Sequence, residues 1–227
     1  MTEREWLTGT DSLALVDEWG TRFTERKARL LALACCRRHA RHFKHPAVRE
    51  AVEAVTAHYA DPLAADGPFD RPLYRELFDR INEYTTPYRR GAVFAVACGV
   101  LTAVEPRAIM AEEHHSPRRI AHDCLHDLAY NISDAADARE RKAQAILVRE
   151  VLGNPFRPAV VDVAWRTDTV LALARQMYAT EDFSAMPILA DALQDAGCDS
   201  DAILTHLRGN ESHARGCWAL DLILDKK

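Results

Sequence analysis

With 227 residues, 48% of them hydrophobic, the chain is long enough to bury one large core or two smaller ones. Its formal net charge of −5 and pI of about 6.1 argue against a nucleic-acid partner, which usually demands a broad positive field. Six cysteines lack the spacing of a disulfide framework, MTEREWLTGT lacks the pattern of a secretory signal, and the longest apolar run (Gly91 to Val104) is too short to span a bilayer, so reduced thiols, a cytoplasmic location and no membrane partner are expected.

In chain order the apolar spacing predicts helix after helix. Thr2 and Glu5 have capping-box spacing, Asp11 is placed to cap SLALVDEW, and Gly20 to end it. A longer helix is predicted from Thr24 to Phe43, followed by one that Pro46 opens. Asp61 to Pro72 reads as a loop. Helices are then expected in LYRELFDRINEY, between Pro87 and Pro106, and from Ser116-Pro117 to Leu152 with one break. GNPFRP, residues 153 to 158, combines a helix-stopping glycine with two prolines and reads as a rigid corner. Four shorter helices follow, in DTVLALARQMYA, SAMPILADALQDAG, DSDAILTHLRG and SHARGCWALDLIL. Nothing alternates like a strand. The expected fold is an all-α multi-helix bundle of antiparallel helical hairpins, about ten helices. Residues 1–152 form the expected N-terminal bundle and residues 153–227 a C-terminal helical lobe packed on it.

The blocks MTEREWL, RKARLLALACCRR, GNPFRP, FSAMPILADALQDAGC and HARGCWALDLIL, in this order, resemble an uncharacterised family of planctomycete-type bacterial helical proteins. The resemblance covers both ends of the chain and leaves residues 60 to 140 poorly matched. It implies a bacterial, cytoplasmic helical protein and carries no activity.

Several constellations bear on chemistry. Arg26, Lys27, Arg37, Arg38, Arg41 and Lys44 fall on one arc of the long helix, with His39, His42 and His45 nearby. An anion- or RNA-facing stripe has this form, but cations near a helix C-terminus are also favoured by its dipole, and a solvated face is the expectation. Adjacent Cys35 and Cys36 point about 100° apart on a helix and read as core, as does Cys98. In HDCLH, His122 and His126 share a helical face, a formal HExxH with Asp123 in place of glutamate. A metal-dependent hydrolase built there would need a third ligand, for which Glu112, Glu113, His114 and His115 are the available donors.

The C-terminal stretch holds four further metal-ligand types, Cys198, His206, His213 and Cys217, spaced C-x7-H-x6-H-x3-C. Two cysteines and two histidines suit a closed tetrahedral zinc site, although the spacing matches no known finger. If Ser212 caps a helix, His213, Cys217, Leu220 and Leu224 lie on its inner face, with Asp221 and Asp225 on the wet side. Ordinary capping and core roles explain the same letters. A third reading makes Cys217 a nucleophile with His213 or His206 as base, oriented by Asp195 or Glu211. With no cofactor loop or convincing acid–base pair, the expectation is a non-enzymatic module that binds a protein partner. The alternative is a zinc-binding protein with a structural site in the C-terminal lobe, zinc being the one cofactor in question, and after it the HDCLH hydrolase.

Overall fold

The computed structural model describes residues 1–39, 46–60, 75–77, 79–81, 83, 117–130, 134–210 and 212–226. The fold is all-α, with no strand among the described residues. The chain divides into two compact units, Met1–Val148 and Arg149–Lys227, a boundary four residues before the expected one at Leu152.

In the first unit, α1 (Glu3–Thr8) starts on the capping box of Thr2 and Glu5, and α2 (Ser12–Trp19) on Asp11, which accepts from the amides of Leu13 and Ala14. The Trp6 and Trp19 rings then meet edge to face at 6.4 Å. Helix α3 (Glu25–Arg37) is capped by Thr24 and packs on α4 (Pro46–Ala60) and α5 (Pro117–Tyr130). Its run from Leu30 to Leu33 and both Cys35 and Cys36 are buried, as its all-round apolarity requires. The helix stops at Arg37, short of the expected end at Phe43: Arg38 and His39 form a turn in which His39 N donates to Cys36 O at 2.9 Å. Arg41, His42, Phe43, Lys44 and His45 lie outside the described residues, as do the Asp61–Pro72 loop, Cys98 and its helix, and Glu112, Glu113, His114 and His115. Helix α6 is Asp134–Leu152, and residues 131–133, where the expected break would fall, lie outside the described residues.

The basic arc is not uniformly solvated. Arg26 is 2% exposed, and Arg38 reaches Glu140 at 3.3 Å. His39 stands 3.2 Å from the same Glu140 oxygen. Burial opposes ionisation of Glu140, yet His39 and Arg38 outweigh it and hold the carboxyl below its usual range. Gln144, one turn further along α6, is buried between Ser12, which donates to its side-chain oxygen at 2.8 Å, and the Leu125 carbonyl, to which it donates at 3.2 Å. Buried polar groups therefore link α2, α3, α5 and α6 within an otherwise apolar core.

The second unit begins in the last turn of α6, which ends at Gly153 in the left-handed region (φ 71°). The prolines keep residues 153–162 out of helix, and Asp162 caps a 3₁₀ turn at Val163–Trp165. Helices α7 (Asp168–Thr180), α8 (Met186–Asp195), α9 (Asp201–Arg208) and α10 (Trp218–Ile223) then surround one apolar core. Thr167 caps α7, while Gly197 (φ 90°) closes α8 in a Schellman motif, with Cys198 N donating to Leu193 O and Gly197 N to Gln194 O. Helix α10 begins at Trp218, five residues after the expected start at His213, and Asp221 is 1% exposed rather than on a wet side. Gly216, at φ 95°, breaks the helical path that the 3.6-residue spacing suggested.

Candidate metal centre

Four potential ligands converge inside the second unit. One donor atom each from Glu150, His206, His213 and Cys217 can be chosen so that all lie within 4.8 Å of one another. The four come from three places in the chain. Glu150 sits in the last turn of α6, and His206 in the last turn of α9. His213 and Cys217 bracket the turn before α10, in which Cys217 N donates to Ala214 O at 3.0 Å. The side chains of Glu150, His213 and His206 are 1%, 6% and 12% exposed, and Cys217 is fully buried.

The contacts are those of donors aimed at a common point. His206 Nε2 lies 3.2 Å from Cys217 Sγ and 3.4 Å from Glu150 Oε2. His213 Nδ1 lies 3.1 Å from Glu150 Oε1. Around a tetrahedral zinc, with bonds of about 2.0–2.3 Å, neighbouring donors stand roughly 3.3–3.6 Å apart; the three contacts above lie at or slightly under that spacing, within a cluster whose donors span up to 4.8 Å. The Nε2 of His213 is buried with no hydrogen-bond partner. The His206 and His213 rings meet edge-on at 5.0 Å, and Trp218 covers His206 with ring centroids 4.8 Å apart. Burial pushes the Cys217 thiol well above its usual pKa, and the nearby Glu150 carboxylate adds to the rise.

This geometry weighs against Cys217 as a nucleophile with His206 as its base. A thiol–imidazole–acid relay needs the thiol on one ring nitrogen and the acid on the other. Here Cys217 and Glu150 both face Nε2 of His206. A single proton on that nitrogen can serve only one of them, and a buried thiol of raised pKa is a poor nucleophile. A cation between the groups serves both.

Three of the four expected ligands are thus brought together, and the fourth is replaced. Cys198 does not join the cluster. It is the residue after Gly197 in the Schellman motif, where an apolar side chain normally folds back on the helix, and it is part of the apolar core. The unforeseen member of the cluster is Glu150. Its signal in the sequence was an acid in the last turn of a helix, where the dipole disfavours it, three residues after the buried Leu147. At HDCLH, the His122 and His126 rings stack at 6.2 Å, while Asp123 is held by Arg119 at 2.7 Å and by His122 at 3.2 Å. Arg119, His122 and Asp123, but not His126, border a cleft of about 370 Å³ with Asp17 and Arg118, and no third donor joins the two histidines among the described residues. Neither Asp195 nor any other described acid but Glu150 belongs to the C-terminal cluster.

No family model, curated protein or solved structure matches the chain.

Proposed function

We propose that residues 149–227 form a zinc-stapled helical module with a structural, non-enzymatic role, the ion being held by Glu150, His206, His213 and Cys217. The observation that carries this reading is the convergence of the four buried donors within 4.8 Å. Charge supports it: one thiolate, one carboxylate and two neutral imidazoles balance a divalent cation, so the buried cluster becomes neutral overall. Two nitrogens, one oxygen and one sulfur suit zinc, which is indifferent to ligand-field geometry and accepts all three donor types. Bound zinc would supply the charge that turns a buried thiol into a thiolate ligand. Closure of the site supports a structural role, because a catalytic zinc keeps one position open to water or substrate.

Metal analysis of the full chain, expressed with zinc and passed through a desalting column, tests the reading. About one zinc per chain is expected for a single closed site. Cys217→Ser and His206→Ala should lose it, whereas Cys198→Ser and His126→Ala should keep it. A chain with no bound zinc would sink the reading, and loss only in His126→Ala would move the metal to HDCLH.

A further inference from the structure

Two of the four ligands, His213 and Cys217, come from one five-residue turn, His213-Ala214-Arg215-Gly216-Cys217, that belongs to no helix. Regular backbone geometry therefore does not fix the separation of their donor atoms. Between them lies Arg215, a cation only 6% exposed. Its guanidinium spans the end of α7: Nε donates to Tyr178 O at 2.9 Å, Nη2 donates to Ala179 O at 3.0 Å, and Nη1 pairs with Glu181 at 3.0 Å. The same group lies 5.8 Å from the centroid of the Tyr178 ring. Tyr178 and Ala179 are in the last turn of α7, whose carbonyls lack helical partners and carry the negative end of the dipole. A planar fork with fixed donors occupies that end in a single pose.

We propose that Arg215 is the positioning residue of the metal centre, clamping the ligand turn to the C-terminus of α7 so that His213 and Cys217 are held ready for zinc before it arrives. This rests on the zinc reading above. The turn is one in which Gly216 takes a left-handed conformation (φ 95°), so its backbone has more freedom than an ordinary loop. Without the clamp, the ordering of both ligands would fall on the binding step, and affinity would drop accordingly. Lysine keeps the charge but offers no planar fork, so Arg215→Lys separates clamping from simple charge at the helix end.

The test uses the full chain and three variants, Arg215→Lys, Arg215→Met and Glu181→Gln. Zinc affinity is read by competition with a chromophoric chelator, ligand geometry by the absorption spectrum of the cobalt(II)-loaded protein, and folding by circular dichroism. Arg215→Lys and Arg215→Met should stay helical yet bind zinc roughly 10- to 100-fold more weakly, the usual effect of losing an outer-shell support. Their cobalt bands should weaken as water replaces a displaced ligand. Glu181→Gln, which disturbs one contact of the clamp, should shift both readouts in the same direction by less. Wild-type affinity and spectrum in Arg215→Lys would overturn the inference and leave Arg215 a helix cap. Should both Arg215 variants fail to fold, an unchanged Glu181→Gln would overturn it. A wild-type chain that binds neither metal would instead refute the zinc reading itself.

Discussion

Glu140 shows how one buried charge is maintained. Its carboxylate is 4% exposed, Arg38 and His39 face it, and the buried thiol of Cys35 lies close enough to feel it. Because its folded pKa is lowered, Glu140 contributes stability that is present above its unfolded pKa of about 4.3 and is lost as pH falls through the folded value. Glu140→Gln should therefore destabilise the chain by about 1–3 kcal/mol at pH 7. Urea unfolding followed from pH 7 to pH 3 should show that gap narrowing once the wild-type carboxylate protonates. A gap independent of pH would mean that shape, not charge, makes the residue necessary. Nothing in the sequence pattern marked Glu140: it lies on the exposed-looking stretch ARERKAQ, and only the arrival of Arg38 and His39, about a hundred positions earlier, makes its burial tolerable.

At the scale of the element, helix ends do more here than helix interiors. Gly153 ends α6 three residues after Glu150, with its amide donating to Arg149 O at 2.8 Å and φ at 71°. A Cβ placed there would stand 3.0 Å from Cγ of Trp218, the ring that covers His206. Gly197 has a similar backbone (φ 90°), but a Cβ there would meet nothing within 4 Å. Gly197→Ala should thus cost only the left-handed strain, about 1–2 kcal/mol. Gly153→Ala should cost more, and through Trp218 it should also weaken zinc binding, which Gly197→Ala should leave intact. Thermal unfolding and chelator competition on the two variants check the contrast; equal effects on both would show that Trp218 does not transmit the change. The caps at Thr2 and Asp11 were legible as letters, because such side chains can satisfy orphan amides from any sequence context. The helix expected from His213 was misread because apolar and ligand residues at helical spacing also suit a turn that Gly216 bends toward the same core.

For the molecule as a whole, the proposed ion would join three separate parts of the second unit: the end of α6, the end of α9 and the turn before α10. Removing it leaves a buried carboxylate and a neutral thiol to share two imidazoles. Chelation should speed amide hydrogen exchange in α9, α10 and residues 209–217, while α2 and α3, which both pack on α5 and hold none of the four cluster residues, should keep their protection. Uniform loss across both sets would contradict a local staple. No described helix is long and apolar enough to cross a membrane. By itself, the sequence determined the all-α class, the starts of α1 and α2 and the opening of α4 at Pro46, and three members of the cluster, because periodicity, caps and ligand types are local properties written within a few residues. Only the tertiary structure decided the fourth member of the cluster, Glu150 in place of Cys198, and only it showed that Cys217 and Glu150 meet the same nitrogen of His206. The physical reason is that convergence on a point depends on how distant helix ends are brought together around a core, and a buried charge such as Glu150 becomes tolerable only once its partners have arrived.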